Sequence, residues 1–217
     1  MKAICFYFQI HQPFRLKRYR FFEIGNDHYY YDDYANESAM ATAVDQSYIE
    51  ANRMLLDMIK SSNGRFRVSF SISGLALEQF EQYAPEVIES FQELAKTGSV
   101  EFLATPYGHS LAALYNDDEF EMQVKMQADK IQELFGKRPT VFANTALLFS
   151  DEIADKVYRM GYKTIMIEDA KHVMGWKSSH YVYSSIANPK AKLLVRDSKL
   201  SDDINYRFSQ WGWCEYP

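Results

Sequence analysis

The sequence predicts a parallel α/β fold, because short apolar runs of strand length alternate along the chain with longer segments of helical periodicity. A helix is expected between nearly every pair of strands, which is the arrangement that right-handed crossover connections produce. No glycine-rich phosphate loop follows any predicted strand, and this disfavours the nucleotide-binding form of the fold. The pattern fits both an open doubly wound sheet and a barrel.

The predicted strands are short runs rich in aromatic and β-branched residues. They cover residues 3–9, 65–71, 100–104, 140–143 and 164–167, with 193–195 as a possible sixth strand. The first run leads to the polar residues His11, Gln12 and Pro13, so we expect a buried strand that ends there.

The predicted helices are segments in which apolar residues recur every three to four positions. They cover residues 43–61, 75–83, 85–96, 117–135, 151–160 and 200–208. Gly136 and Gly161 follow two of these segments, as is typical of helix C-termini. Residues 15–34 have no clean period and are predicted to be a long loop, whose many aromatic side chains argue against disorder.

Composition excludes several classes of protein. The 217 residues carry a net charge of −5, so no basic surface for nucleic acid is expected. The apolar run at the start is too short for a signal peptide or a membrane span, which predicts no membrane partner. Cys5 and Cys214 form neither a zinc motif nor a disulfide framework, and we expect a reducing, cytoplasmic location.

Polar clusters follow three of the predicted strands. His11 and Gln12 follow the first, Tyr107 and His109 follow the third, and Asn144 follows the fourth. Parallel strands aim their carboxyl ends at one edge, where α/β proteins build their sites. Either histidine alone is compatible with a partly buried structural role, but three clusters at one edge indicate a pocket.

Metal and serine chemistry are less well supported. His11, His109, Glu101 and Asp169 could gather around a metal, but the sequence has no His-x-x-x-His motif, cysteine pair or aspartate-rich loop. We therefore predict no metal and no other cofactor. Ser110 lies beside His109 without the Gly-x-Ser-x-Gly elbow of serine hydrolases.

A pair of catalytic carboxylates is not evident from the residues. Retaining glycoside hydrolysis needs two carboxyl groups about 5 to 5.5 Å apart. Glu101 lies within a predicted strand, and Asp202 and Asp203 open a helix, where capping is their ordinary role. Glu168 and Asp169 follow the fifth strand and could face the same edge as the polar clusters.

Four separated segments resemble the α-amylase-type branch of glycoside hydrolase family 57. They read FYFQIHQPFRLKRY, GSVEFLATPYGHSLAAL, RPTVFANTALLFSDEIA and LSDDINYRFSQWGWCEYP. They occur in the family's order and span essentially the whole chain. The resemblance implies an irregular seven-stranded (β/α) barrel that acts on α-1,4-glucans or maltooligosaccharides with retention of configuration.

The resemblance also implies roles for individual residues. His11 would line the sugar site, and Glu101 and His109 match the family's second motif region. That motif departs from the family at Thr105, Pro106 and Gly108, where an acidic residue and a second aromatic residue are expected. The predicted substrate-binding residues are His11, Gln12, Glu101, Tyr107, His109, Asn144 and Asp169.

The nucleophile position carries the largest departure from the family. The family places a glutamate nucleophile in an Asn-Thr-Glu run, whereas this chain has Asn144, Thr145 and Ala146. Alanine has no lone pair with which to attack an anomeric carbon, so a covalent intermediate cannot form at residue 146. The family's acid/base aspartate is expected beyond Pro217. We therefore predict that this chain is inactive as given.

The resemblance bears on the extent of the chain and leaves two alternatives. Five or six predicted strands, where the family barrel has seven, predict that residues 1–217 are a catalytic barrel truncated before its later strands. The first alternative is a non-catalytic α-glucan-binding protein that has lost the chemistry. The second is a metal-dependent carbohydrate deacetylase-like hydrolase, which needs an aspartate and two histidines around a metal.

Overall fold

The computed structural model describes residues 3–208 and divides the chain into two compact units, Met1–Pro139 and Thr140–Pro217. Cys214 and the end of the fourth matching segment, residues 209–217, lie outside the described residues. Strands alternate with helices in both units, and most strand pairs are parallel, so the predicted α/β fold class is confirmed. Within residues 3–208, no helix combines the length and the apolar composition that crossing a membrane requires.

The first unit contains a three-stranded parallel sheet in the order β1-β2-β3. Its strands are β1 (Phe6–Ile10), β2 (Val68–Ile72) and β3 (Val100–Leu103). Its helices are α1 (Asp33–Ala43), α2 (Ile49–Ser61), α3 (Gly74–Tyr83), α4 (Pro85–Lys96) and α5 (Asp117–Phe135). The helices between successive strands are what keeps the three strands parallel.

An aromatic core lies between this sheet and its helices. Phe70 of β2 packs edge-on against Phe91 of α4, with ring centroids 5.2 Å apart. Phe102 of β3 stacks on Phe135 of α5 at 4.4 Å. Phe70, Phe91 and Phe102 are buried, and removing rings of this size from water is a principal stabilising term for the unit.

The first strand and the first helix differ from the prediction. β1 was expected to be buried, but Phe6 and Phe8 are 37% and 41% exposed, because β1 lies at the edge of the described sheet. The first helix was expected to begin at residue 43, whereas α1 begins at Asp33, and a π-helical turn, Val44–Tyr48, joins it to α2. The Asp32 side chain caps α1 by accepting the Ala35 amide at 2.9 Å.

The second unit contains a four-stranded sheet in the order β4-β5-β7-β6. Its elements are β4 (Val141–Ala143), α6 (Asp151–Arg159), β5 (Thr164–Ile167), α7 (Lys171–Met174), β6 (Val182–Ser184), β7 (Lys192–Val195) and α8 (Ser198–Asp202). β4, β5 and β7 are parallel, and β6 runs antiparallel to β7. The described residues thus hold seven strands rather than five or six, because β6 was not predicted. The short helix α7 was not predicted either.

Candidate functional site

Two histidines meet at the carboxyl ends of the strands of the first unit. His11 follows β1, and His109 follows β3 after a short connection. Their imidazole rings stack with centroids 4.4 Å apart and planes inclined by 25°. Gln9 Nε2 lies 3.2 Å from Nε2 of His109. The sequence therefore brings two of its predicted site residues into direct contact.

Ser73 sets the orientation of His11. Its hydroxyl oxygen accepts the Ala76 amide at 3.2 Å, as the N-cap of α3. The same oxygen lies 2.8 Å from His11 Nδ1. With the Ser73 hydroxyl donating to Nδ1, the neutral His11 ring carries its hydrogen on Nε2, where it can donate to a ligand.

The surroundings of both imidazoles favour the neutral form. Partial burial lowers the pKa of His11 below its usual range, and the neighbouring His109 lowers this pKa further. Burial also lowers the pKa of His109. A neutral imidazole offers one donor and one acceptor, which suits hydrogen bonds to sugar hydroxyl groups.

His109 also adopts a left-handed backbone with a φ of 52°, a conformation that is uncommon outside turns and functional sites.

One face of the sheet of the first unit is mostly polar. The strand register places Tyr7, Ser69 and Glu101 at one level and Gln9, Ser71 and the apolar Leu103 at the next, all on the same face. The Tyr7 hydroxyl lies 2.6 Å from the Ser71 hydroxyl, and burial raises the pKa of Tyr7 to about 12. Glu101 is exposed on this face. Gln9, on the same face, contacts the imidazole of His109.

Tyr107 packs against the start of α3. Its hydroxyl donates to Glu78 Oε1 at 2.5 Å, and burial together with this carboxylate raises the pKa of Tyr107. The ring lies so close to Gly74 that a Cβ there would be 2.2 Å from its nearest atom. Gly74 is therefore required for the Tyr107 position, which in turn holds the connection that carries His109.

Two glutamines of α5 fix the connection after β3, and the sequence analysis missed both. Gln127 is fully buried, and its amide donates to the Ile72 and Leu103 carbonyls at 2.9 and 3.3 Å. Gln123 Oε1 accepts the Gly108 amide at 3.1 Å and the Ser110 hydroxyl at 2.9 Å. The sequence signal that could have identified them is a glutamine on the inward face of an amphipathic helix, because a buried amide needs hydrogen-bond partners.

Gln12 is directed towards the π-helical turn. Its side-chain amide donates to the Tyr48 hydroxyl at 3.2 Å, and its carbonyl accepts from Gln79 Nε2 at 2.7 Å. Gln79 is fully buried, and its Oε1 has no hydrogen-bond partner among the described residues. Gln12 thereby anchors the chain between His11 and the loop that follows it.

The second unit places the residue 144–146 turn at the carboxyl end of β4. Asn144 is buried, its Oδ1 accepts the Thr145 amide at 2.9 Å, and its Nδ2 donates to the Leu148 carbonyl at 3.1 Å. Ala146 is exposed, and both Ala146 and Leu147 have a left-handed φ of 52°. Two consecutive non-glycine residues in this region store strain, which is characteristic of functional turns.

Paired carboxylates follow β5 and β7 in the second unit. Arg196 donates to Glu168 Oε1 at 2.9 Å and to Asp202 Oδ1 at 2.5 Å. The Ser198 hydroxyl donates to Asp169 Oδ2 at 2.9 Å. Glu168 and Asp202 thus share one arginine, an arrangement typical of a structural ion network rather than of an acid/base pair.

The predicted site residues fall into both units. His11, Gln12, Glu101, Tyr107 and His109 belong to the first unit, whereas Asn144, Ala146 and Asp169 belong to the second. The convergence of all three polar clusters on one pocket stays a prediction. Among residues 3–208, no group of three histidine, cysteine, aspartate or glutamate side chains is close enough to hold a metal ion.

Comparison with known proteins identifies the family. The sequence is 36% identical over 217 residues to a protein of Methanocaldococcus jannaschii named "Putative alpha-amylase", covering 99% of this chain and 45% of that protein. The chain thus spans less than half the length of this curated relative.

Two solved structures share the fold of this chain. A 4-α-glucanotransferase from Thermococcus litoralis aligns with a TM-score of 0.70 at 20% identity, over 94% of this chain and 29% of that chain. An α-amylase from Thermotoga maritima aligns with a TM-score of 0.66 at 13% identity, over 94% of this chain and 47% of that chain. The expected fold, an incomplete form of the family's (β/α) barrel, agrees with these partial alignments. The sequence model of glycosyl hydrolase family 57 matches residues 5–216, and the chain therefore belongs to that family.

Proposed function

We propose that this chain is part of an α-amylase-type family 57 catalytic barrel that binds α-1,4-glucans and does not by itself hydrolyse them. The observation that carries the proposal is Ala146, which stands after β4 in a strained, exposed turn. The resemblance to the family's Asn-Thr-Glu run implies that this is the nucleophile position. A retaining mechanism needs a second carboxylate as well, and Glu168 is engaged by Arg196.

Binding is supported by the chemistry of the strand ends. His11 and His109 are held in a fixed stack in which burial lowers the pKa of both imidazoles, and Glu101 and Gln9 lie on the polar face that leads to them. Fixed donors and acceptors of this kind are suited to sugar hydroxyl groups. The low cysteine content supports a reducing, cytoplasmic location.

Calorimetric titration with maltoheptaose, together with an assay for released reducing sugar, tests the proposal. We expect wild type to bind without releasing sugar, and His109→Ala to weaken binding by about tenfold, which corresponds to about 1.4 kcal/mol. His172→Ala is the matched control, because His172 is an exposed histidine of α7 outside the candidate site. Sugar release by the wild-type chain, or unchanged binding by His109→Ala, would contradict the proposal.

A second experiment addresses the nucleophile position. Ala146→Glu alone is expected to restore no hydrolysis, because Arg196 engages both Glu168 and Asp202 and members of such a catalytic unit act together. Activity from this single substitution would show that the acid/base lies within residues 1–217, with Asp169 and Asp202 as the candidates.

A further inference from the structure

The segment expected to be an irregular loop forms an ordered antiparallel turn, which we call the aromatic hairpin (residues 15–34). Leu16 and Tyr31 form an antiparallel bridge, and the Lys17 amide donates to the Tyr30 carbonyl at 2.9 Å. The Tyr19 ring stacks on Tyr30 at 5.0 Å. These contacts give the segment a defined conformation although it contains little regular secondary structure.

The outer surface of the aromatic hairpin is apolar and exposed. Phe21 is 81% exposed and Phe22 is 85% exposed. The Phe21 and Phe22 rings meet edge to face, with centroids 5.5 Å apart. A cluster of exposed aromatic residues marks an interaction site more often than scattered single residues do, because exposing them forgoes the stabilisation that burial would give.

The charges of the aromatic hairpin cancel. It contains four basic and four acidic residues. Lys17 forms an ion pair with Asp27 and lies over the Tyr29 ring, and the Tyr29 hydroxyl donates to Asp33 at 2.6 Å. A surface without net charge does not attract nucleic acid or an anionic membrane. Flat aromatic rings combined with hydroxyl and carboxylate groups instead suit a neutral sugar, because a sugar ring has an apolar face and a rim of hydroxyl groups.

The aromatic hairpin is also continuous with the candidate site of the first unit. The chain enters it directly after His11 and Gln12, at the carboxyl end of β1. Phe14, four residues after the end of β1, packs on Tyr31 with ring centroids 5.0 Å apart, so the segment that leaves β1 contacts the returning side of the hairpin. The loops that follow parallel strands at this edge are where α/β proteins bind their ligands.

We propose that the aromatic hairpin is an additional α-glucan-binding surface, on which sugar rings stack against Phe21 and Phe22, so that the chain binds long glucans more tightly than short ones. This inference rests on the proposed function, and it adds a preference for polymer length. A chain long enough to reach from the strand ends to the hairpin gains both sets of contacts, whereas a trisaccharide gains only one.

Affinity electrophoresis through glycogen, with calorimetric titration of maltotriose in parallel, tests the inference. The variant is Phe21→Ala/Phe22→Ala, whose side chains are so exposed that truncation leaves no cavity. We expect it to bind glycogen about tenfold more weakly than wild type, with maltotriose binding unchanged. Met122→Ala/Met126→Ala is the control, because it removes exposed apolar side chains from α5 of the same unit.

The outcomes separate the inference from the proposed function. If wild type binds both ligands and the hairpin variant binds glycogen equally well, the inference is wrong and the proposed function stands. If the hairpin variant loses affinity for both ligands, or if the control variant loses as much affinity for glycogen as the hairpin variant does, the effect is not specific to a separate surface on the hairpin and the inference is wrong. If wild type binds neither glycogen nor maltotriose, both proposals are wrong.

Discussion

The imidazole rings of His11 and His109 stack at 4.4 Å although they follow β1 and β3, which are separated in the sheet by β2. The rings meet beside Ser73, the residue that directly follows β2 and is hydrogen-bonded to His11. Three strand ends therefore contribute to one small polar cluster. Stacked, partly buried imidazoles disfavour protonation, which gives this cluster a pH dependence.

We predict that acidification destabilises the first unit through this histidine pair. Both pKa values are lowered in the folded protein, so the unfolded chain binds more protons between the folded pKa and the usual histidine pKa. Stability is highest above the unfolded pKa, near 6.5, and falls as the pH drops through it. Urea denaturation at about pH 7.5 and about pH 5.5 measures the change.

The control for this prediction is the double variant His11→Gln/His109→Gln, which keeps polar side chains and removes both titrations. Its loss of stability on acidification should be smaller than that of wild type. His172→Gln should behave like wild type, because His172 is exposed. Equal losses in wild type and the double variant would contradict the prediction.

Gly74→Ala is predicted to lower the free energy of unfolding by about 1–3 kcal/mol, because overpacking is costly when neighbours cannot move. The new Cβ would lie 2.2 Å from the Tyr107 ring and would displace it from Glu78. Chemical denaturation measures the loss. In the double variant with Tyr107→Ala the clash is absent, so the two effects should not add. Additive effects would show that the close contact is not the cause.

Asn144→Ala is predicted to destabilise the protein by about 1–3 kcal/mol, because it leaves the partners of a buried side chain without hydrogen bonds. Asn144 holds both ends of the residue 144–148 turn, through the Thr145 amide and the Leu148 carbonyl. Asn144→Asp retains the acceptor and loses the donor, so its loss of stability should be intermediate. Thermal and urea unfolding check this order, and a reversed order would disprove the proposed role of the amide.

Ala146→Gly is predicted to stabilise the protein by about 1 kcal/mol, because glycine adopts a left-handed backbone without the steric cost that alanine has. Ala146 has a φ of 52°, whereas Ala41, an exposed alanine within α1, is helical and serves as the control. Ala41→Gly should destabilise, because glycine is a poorer helix former than alanine. Equilibrium denaturation distinguishes the two signs, and a loss of stability in Ala146→Gly would show that the turn is not strained.

Local signals in the sequence were sufficient where an element has strong boundaries. α5 has the predicted bounds, since the Asn116 side chain caps its start and Gly136 takes a left-handed φ of 70° at its end. β5 also has its predicted bounds, because the run of four apolar and β-branched residues is flanked by the charged residues Lys163 and Glu168. β6 escaped prediction because its three residues are mostly exposed and form no buried apolar run of the kind that marks β4.

The sequence by itself determined the alternation of strands and helices, the family, and which strands are followed by polar residues, because each of these depends on local order along the chain. Only the tertiary structure decided that His11 stacks on His109, that Gln123 and Gln127 hold the connection after β3, and that β1 is partly exposed. Those facts depend on which distant residues become neighbours in space, and hydrophobic periodicity does not encode the identity of a neighbour.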